Sequence, residues 1–351
     1  MKIALASGQE ASMIDDAESV IDLLNQQGAD VILEMELAEA LSSPGTSLDD
    51  IDAEVLAIVG SDRTVLNMLL KMGESTIPIL PVLSRGQPDF FFDVTVGNFE
   101  LVVEDLLSGE WTEDRRSRLS VTIGETPTPP ILNELAIFAK RNATLIRYSL
   151  FLDGEEFWKD GSDGLIVATP TGSTAYSLSV GGPVILSPAS VFSVIPVSST
   201  NPARRPLILS DSISIEIRDL TSPVMVEVIL DGQMRLNVDS GPIFIRRAQS
   251  DAIFVKLSEE RIAALRGKLQ KKTDILEDLA QDLPPSAKLV LKVLEYQDKL
   301  THRQIIEETM LPARTVRHAL SILMSEGLVK KQLSLRDSRR GLFMAVKPSE
   351  R

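Results

Sequence analysis

Apolar and polar positions switch between two periods over the first 85 or so residues. Short apolar runs read as β-strands, and the stretches between them carry apolar residues at helical spacing, such as Ile14, Val20 and Leu24 before Gly28. The predicted strands cover residues 2–6, 30–33, 54–60 and 77–83, and residues 64–72 are predicted to be helical. This alternation predicts an α/β domain, placed at residues 1–110, with a parallel sheet covered by helices.

The pattern changes near residue 111. From about residue 119 to residue 255 the chain contains short β-branched stretches, including RLSVTI, VMVEVILDG and IFIRRA, which glycine, proline and aspartate separate. Such stretches are typical of antiparallel strands. We therefore predict a β-rich second domain over residues 111–270.

The period changes again after the double proline at 284–285, which closes a predicted linker at residues 271–285. Beyond it, short helices are predicted at 287–296, 302–308 and 312–326, and two strands follow around the basic turn RDSRR. Three helices and a β-hairpin in this order are typical of a winged helix-turn-helix. Residues 286–351 are therefore predicted to form such a domain.

Charge is unevenly divided between this tail and the rest of the chain. The net charge is −14, yet residues 284–351 hold 13 Lys and Arg against 7 Asp and Glu, while the remainder holds 23 against 43. A basic helix with a basic wing indicates binding to double-stranded DNA. The residues predicted to contact DNA are Arg314, Arg317, His318, Arg336, Arg339 and Arg340. The alternative is a solvated charged face on a dimerisation module.

Composition narrows the remaining possibilities. The chain has no cysteine, which excludes disulfides, thiolate metal sites and cysteine nucleophiles, and its two histidines are too far apart to suggest a metal site. No window holds the ~18 apolar residues needed to cross a bilayer. The amino-terminal apolar stretch is too short for a signal peptide. A cytoplasmic protein is predicted.

The most informative segment covers residues 163–183, where an apolar strand ends in Thr-Pro-Thr-Gly-Ser-Thr-Ala-Tyr. Small residues and hydroxyl groups at a strand end let backbone and side-chain donors approach a ligand closely. Tyr176 adds a face for stacking as well as a hydroxyl. The alternative is an ordinary loop rich in glycine and serine.

This segment resembles the long Thr-Pro-Thr-Gly-Ser-Thr-Ala-Tyr motif of the NAD kinase family, with Val180 where alanine is usual. Three shorter motifs occur in the family's order: Asn133-Glu134, Arg205-Pro206-Leu207 and Asp231-Gly232-Gln233. The resemblance covers roughly residues 1–270. It implies a Rossmann-like amino-terminal α/β domain and a β-sandwich-like second domain, with NAD bound in the cleft between them.

The same resemblance implies the reaction and its residues. The family transfers a phosphoryl group from ATP to the adenosine ribose 2′-hydroxyl of NAD, which needs charge neutralisation by a metal and a carboxylate near the attacking hydroxyl. Its Gly-Gly-Asp-Gly-Thr turn matches residues 60–64, so Asp62 is the predicted base or metal-positioning group, with a helix N-cap as the alternative. Nucleotide contacts are predicted at Gly60, Ser61, Arg63, Thr64, Asn133, Glu134, Asp163, Thr169, Thr171, Thr174, Ala175, Tyr176, Ser179 and Gln233.

The chain departs from the family in three places. Arg63 replaces a glycine of the first turn, where a long side chain either fills the phosphate space or supplies a cation for phosphate. The family's second glycine motif, matching residues 81–90, keeps only Phe90, and residues 196–199 read Pro-Val-Ser-Ser where the family commonly has Pro-His-Ser. The dinucleotide half of the site is therefore better preserved than the phosphate-donor half.

Two functions follow, and both remain open at this point. The first is an active NAD kinase, with ATP and Mg²⁺ as cofactors and a winged helix that regulates or localises it. The second is an inactive regulator of transcription that senses NAD or NADP and binds DNA. A third reading is a related kinase with another nucleotide or phosphate donor. The resemblance also implies a homodimer or a homotetramer.

Overall fold

A computed structural model describes residues 1–84, 90–141, 143–238, 241–257, 284–297, 300–309, 311–325, 328–334 and 337–345. The chain forms two compact units, Met1–Glu260 and Arg261–Arg351. Among the described residues, no helix combines the length and the apolar character that a membrane span requires.

The first lobe of the larger unit is built on a seven-stranded sheet. Its strands are β1 (Lys2–Ser7), β2 (Asp30–Leu33), β3 (Val55–Gly60), β4 (Ile79–Leu83), β5 (Val94–Thr95), β6 (Thr112–Arg116) and β19 (Ala252–Lys256). They lie in the order β2-β1-β3-β4-β19-β6, and β5 pairs with β4. Strands β1 to β5 and β19 run parallel, as the alternating sequence predicts, and β6 pairs antiparallel with β19.

Helices cover both faces of this sheet. They are α1 (Ala11–Gln26), α2 (Met35–Ala40), α3 (Asp62–Met72) and α4 (Val103–Ser108), with 3₁₀ turns at Leu48–Asp50 and Val96–Leu101. Alternate residues of a strand point to opposite faces, so Leu5 and Ala57 pack with α1 while Ala6 and Ile58 pack with α3. Gly28 follows α1 with a φ of 76°, in the left-handed region that glycine adopts readily.

The second lobe consists of two six-stranded antiparallel sheets. The strands are β7 (Leu119–Ile123), β8 (Thr126–Pro127), β9 (Glu134–Ala139), β10 (Ile146–Leu152), β11 (Glu155–Ser162), β12 (Gly164–Ala168), β13 (Val191–Val197), β14 (Leu207–Ser210), β15 (Ile215–Thr221), β16 (Val226–Leu230), β17 (Met234–Val238) and β18 (Ile243–Arg247). The orders are β11-β10-β15-β18-β7-β8 and β14-β13-β12-β9-β16-β17, and one apolar cluster contains residues from both sheets.

The boundary between the lobes differs from the predicted division at residue 111. Strands β6 and β19 fall within the predicted second domain, but both belong to the first lobe's sheet. The chain therefore leaves the first sheet after β6 and returns to it at β19. The sequence TEDRR of β6 has no apolar alternation that could assign it to either lobe.

Arg118 connects the lobes at this crossing. Its side chain is fully buried, and its guanidinium donates to the carbonyl of Gly73 at 2.7 Å and to that of Ser250 at 3.0 Å. Burial lowers the pKa of Arg118, while Glu74 and other nearby acids oppose that shift. Gly73 follows α3, so this arginine joins the end of a first-lobe helix to the start of β7.

Replacing Arg118 by methionine is expected to lower the free energy of unfolding by at least about 2 kcal/mol. Two carbonyls lose the charged donor that the buried arginine supplies, and hydrogen bonds to charged groups contribute ~1.5–3 kcal/mol each. Urea unfolding followed by circular dichroism measures the loss. Arg115→Met is the control, because Arg115 is exposed and pairs with Glu113; equal effects of the two changes would refute a special role for the buried arginine.

The smaller unit follows the predicted order of three helices and a hairpin. It contains α6 (Pro285–Gln297), β20 (Leu300–Thr301), α7 (His302–Thr309), α8 (Ala313–Ser325), β21 (Val329–Ser334) and β22 (Asp337–Ala345), with strand order β20-β22-β21. Leu294, Ile305, Leu320 and Phe343 belong to its apolar core. Most of the predicted linker, residues 271–283, lies outside the described residues.

Candidate active site

A tight turn after β3 places Asp62 at the start of α3. The backbone N–H of Ser61 donates to the Thr64 hydroxyl at 3.2 Å. A Cβ on Gly60 would lie 2.4 Å from that hydroxyl oxygen, so only glycine fits there. Gly60, Ser61 and Thr64, all predicted nucleotide contacts, thus shape the turn itself.

The carboxylate of Asp62 is held by backbone donors. Its Oδ2 accepts from the N–H of Phe90 and its Oδ1 from the N–H of Phe91, both at 2.9 Å. Ser61, not Asp62, is the N-cap of α3, so the N-cap alternative is wrong. The positive end of the helix dipole stabilises a negative charge at this position. The result is an oriented, half-buried carboxylate at the carboxyl end of a parallel strand.

Only the ends of the degraded second glycine motif are described, because residues 85–89 lie outside the described part of the chain. Before the gap, the Ser84 hydroxyl donates to Asp16 at 2.7 Å, and Asp16 is fully buried in α1. After it, Phe91 packs against Phe254 with ring centroids 5.7 Å apart. Sequence reasoning missed Asp16, whose signal is a carboxylate on the apolar face of an amphipathic helix.

The Asn133-Glu134 motif lies at the start of β9 and is held by the turn between β16 and β17. The carboxylate of Asp231 accepts from the backbone N–H groups of Leu132 at 2.8 Å, Asn133 at 2.7 Å and Glu134 at 3.1 Å. Burial raises the pKa of Asp231 to about 6, although these three donors and Arg118 lower it. Asp231 therefore positions the motif, a role that sequence reasoning did not assign to it.

Asn133 and Glu134 are both buried, with exposed fractions of 7% and 6%. The Oδ1 atom of Asn133 has no hydrogen-bond partner among the described residues. A buried polar atom without a partner costs roughly 1–3 kcal/mol, so it indicates a ligand or a water at that position. This is where the structure best fits a bound polar group.

Thr169 anchors the hydroxyl-rich loop to the same strand. Its hydroxyl donates to the carbonyl of Leu132 at 2.5 Å and accepts from the N–H of Gly172 at 3.1 Å. A Cβ on Gly172 would lie 2.1 Å from the carbonyl oxygen of Asn133. Thr169 is fully buried, and its hydroxyl shapes the loop through these two hydrogen bonds.

The rest of this loop folds into a 3₁₀ turn, Gly172–Thr174, and the short helix α5 (Tyr176–Ser179). The Thr174 hydroxyl donates to the carbonyl of Thr171 at 3.2 Å. Tyr176 stacks on Phe138 with ring centroids 5.8 Å apart and is 39% exposed, which leaves part of the ring accessible. Of the other predicted contacts, Thr171 and Ala175 are half-buried and Ser179 is exposed.

In the same chain, Asp163 lies far from the hydroxyl-rich loop that follows β12. It precedes β12, whereas Thr169 follows β12, so the two lie at opposite ends of the strand, ~20 Å apart at ~3.3 Å per residue. The arginine of the Arg-Pro-Leu motif bonds to its own segment: Arg205 donates to the carbonyl of Pro202 at 2.8 Å.

One hydrogen bond joins the Asp62 turn to the Asp231 turn across the lobes. The Nε of Arg63 donates to the Oε1 of Gln233 at 3.1 Å, and the Nε2 of Gln233 donates to the carbonyl of Asp231 at 3.2 Å. The turn that carries Asp62 therefore lies against the turn that positions Asn133 and Glu134. Among the described residues, no group of three or more histidine, cysteine, aspartate or glutamate side chains could hold a metal ion.

In the smaller unit, α8 presents three of the predicted DNA-contacting residues together. Arg314, Arg317 and His318 are exposed, while Val316 and Leu320 are buried. Arg339 and Arg340 lie on β22, and Arg336 lies outside the described residues.

A small-residue turn at the carboxyl end of a parallel strand, beside a β-domain with a buried polar strand end, is typical of a two-lobed nucleotide-binding protein. Comparison with known proteins makes the assignment specific. Residues 132–257 match the family described as ATP-NAD kinase C-terminal domain. The chain is 32% identical over 254 residues to the NAD kinase of Methanopyrus kandleri, covering 72% of this chain and 91% of the relative. The chain belongs to the NAD kinase family.

Other relatives agree. The NAD kinase of Methanoregula boonei is 31% identical over 259 residues, covering 74% of this chain and 94% of that protein. An Archaeoglobus fulgidus NAD kinase, solved in complex with ATP, superposes with a TM-score of 0.63 at 26% identity, covering 77% of this chain and 99% of that one. Yeast NADH kinase complexed with NADH gives a TM-score of 0.69 at 22% identity, covering 77% and 87%. The predicted family and its fold are confirmed.

Proposed function

We propose that the protein is an active NAD kinase, which transfers a phosphoryl group from ATP to the adenosine ribose 2′-hydroxyl of NAD and releases NADP and ADP. The observation that carries this proposal is the contact between the two turns. Asp62, oriented by two backbone N–H groups, lies next to Arg63, which touches the turn that positions Asn133 and Glu134. Relatives that carry the NAD kinase name match over nearly their full length, which supports the same activity.

Each residue has a distinct task in this proposal. Asp62 accepts the proton of the 2′-hydroxyl as that oxygen attacks phosphorus. Asn133 and Glu134 hold the ribose and base, and the accessible part of the Tyr176 ring supplies a stacking surface. Thr169 and Asp231 act through these groups by fixing the loop and the strand.

Mg²⁺ is the metal that the reaction class implies. It is normally bound through one or two carboxylates together with substrate phosphates, not by an all-protein cage. The residues fit that mode, because Asp62 provides a single oriented carboxylate. When bound, the metal neutralises phosphate charge, and Asp62 is the residue that would hold it.

The test of this function is direct. Purified full-length protein with NAD, ATP and Mg²⁺ is expected to form NADP and ADP in equal amounts, measured by an NADP-specific dehydrogenase assay and by chromatography. Omitting ATP is the control and should abolish NADP. If no NADP forms although calorimetry detects NAD binding, the protein is a sensor and not an enzyme. If NADP forms with another triphosphate or with polyphosphate but not with ATP, the phosphate donor is different.

We also propose that the smaller unit is a winged helix-turn-helix that binds duplex DNA and so regulates or localises the enzyme. The shared exposed face of Arg314, Arg317 and His318 on α8 favours this function. The same exposed basic face would serve the alternative function, a dinucleotide sensor that regulates transcription. A cytoplasmic homodimer or homotetramer is the state that we propose for the whole protein.

The double substitution Arg314→Ala and Arg317→Ala is expected to weaken binding to duplex DNA and to reduce the salt dependence. Each phosphate contact contributes a slope near −0.9 in a plot of log affinity against log salt, so losing two should change the slope by about 2. Fluorescence anisotropy with mixed-sequence duplexes between about 50 and 200 mM salt measures it, with NADP present and absent. If both affinity and slope match the unmodified protein, α8 does not contact DNA.

A further inference from the structure

Arg63 is the chain's own addition to the nucleotide site. It occupies the turn position directly after Asp62, its side chain is exposed, and its Nε donates to Gln233 at 3.1 Å. The two terminal nitrogens of the guanidinium make no hydrogen bond or ion pair with any residue that the structure describes. Gln233 therefore holds the Nε end of this guanidinium fork, and its two terminal nitrogens are left to donate to a ligand.

The location of this fork determines what it can bind. Asp62 is the proposed base, so the ribose 2′-hydroxyl lies beside it, and a phosphoryl group added to that hydroxyl lies against the same turn. A phosphate dianion there is repelled by the Asp62 carboxylate. The adjacent guanidinium offsets that repulsion, and its planar pair of N–H donors matches two phosphate oxygens.

We infer that Arg63 is a specificity-determining residue that binds the 2′-phosphate of the dinucleotide, so that this protein holds NADP more tightly than NAD. This inference rests on the proposed function only for the position of the dinucleotide, not for catalysis. It predicts a site in which one side chain discriminates the phosphorylated from the unphosphorylated dinucleotide, with or without catalysis.

The bond to Gln233 gives the side chain its direction. Gln233 is itself held by its Nε2 bond to the carbonyl of Asp231, whose carboxylate is fixed by three backbone N–H groups. Arg63 is thus anchored to the part of the second lobe that holds the dinucleotide. An arginine that served only the donor phosphates would have no need of that anchor.

Isothermal titration calorimetry on the full-length protein tests the inference with NAD, NADP and ATP as separate probes. Arg63→Gln keeps a side-chain N–H that can reach Gln233 but removes the charge and the fork. It is expected to weaken NADP binding at least about tenfold, the usual effect of a lost hydrogen bond to a charged group, and to change NAD binding by less than about threefold. Arg63→Gly, which restores the family's residue, should behave in the same way.

The matched control is Arg235→Gln. Arg235 lies two residues beyond Gln233, but its guanidinium is paired with Glu227 at 2.6 Å, so its loss should leave all three affinities unchanged. Equal weakening of NAD and NADP by Arg63→Gln would overturn the inference and make Arg63 a bridge between lobes. Weakening of ATP alone would overturn it in favour of a donor contact. Selective loss of NADP binding supports it whether or not the kinase assay detects turnover, so the two proposals fail separately.

Discussion

Asp62→Asn is expected to lower the kcat of NADP formation by about 10²–10⁴-fold, the range that a positioned general base contributes. The asparagine carbonyl can still accept from one of the two N–H groups of Phe90 and Phe91. It cannot accept the proton of the 2′-hydroxyl. In the proposed function other residues, in the second lobe, hold the dinucleotide, so KM for NAD should change little and the loss should fall on kcat.

The measurement pairs initial rates at saturating NAD and ATP with NAD titration by calorimetry. Asp52→Asn is the control, since Asp52 is exposed in the same lobe and pairs with Lys2. A thermal melt checks that the amide substitution has not released the segment after residue 89. A kcat within about tenfold of the unmodified enzyme, in a protein that melts normally, would show that Asp62 is not the base.

Local patterns were enough to predict most of the architecture. The order of strands and helices in the first lobe follows from the switch between periods of two and 3.6, and the antiparallel second lobe from short β-branched stretches between turn residues. The charged strand β6 is the exception. Its place in the first sheet depends on pairing with β19, far along the chain, because its own residues favour neither lobe.

The site was predictable as a set of segments but not as a set of contacts. The motifs identified Asn133, Glu134, Asp62 and Gln233, yet which side chains face a ligand depends on three-dimensional neighbours. Thr169 illustrates this, because a hydroxyl at a strand end looks like a ligand donor until Leu132 and Gly172 are seen to use it. The Arg63–Gln233 bond, between residues 170 apart in sequence, has no local signal at all.

The largest effect on stability is expected for Asp231→Ala. Three buried backbone N–H groups lose their acceptor, and each unsatisfied donor costs roughly 1–3 kcal/mol, so the free energy of unfolding should fall by about 3 kcal/mol or more. NAD binding should be lost with it, because Asn133 and Glu134 are no longer held. Urea unfolding and calorimetry measure the two effects separately.

Asp153→Ala is the matched control for this change. Asp153 and Asp231 both precede a glycine in a hairpin turn and both have a φ of 50°, so alanine meets the same backbone strain in each. Asp153 is exposed, and among the described residues its carboxylate accepts one hydrogen bond, from the N–H of Ser214 at 2.9 Å. Its loss should cost no more than about 1.5 kcal/mol. Similar losses in the two variants would mean that turn strain, and not the buried carboxylate, dominates.

The stability difference between the unmodified protein and Asp231→Ala depends on pH, and that dependence reveals whether burial or hydrogen bonding governs the Asp231 carboxylate. Burial raises its pKa to about 6 in the folded protein, against ~3.9 in an unfolded chain. The folded state then holds the proton more tightly, so stability falls as pH rises from about 4 to about 6. The advantage of the unmodified protein over Asp231→Ala should therefore shrink by up to ~3 kcal/mol across that window, because a tenfold difference in proton affinity between the folded and unfolded states corresponds to ~1.36 kcal/mol. If this advantage grows with pH instead, the three N–H donors outweigh burial. The Asp231 carboxylate is then already ionised at lower pH, and it holds the Asn133-Glu134 strand as a negatively charged acceptor.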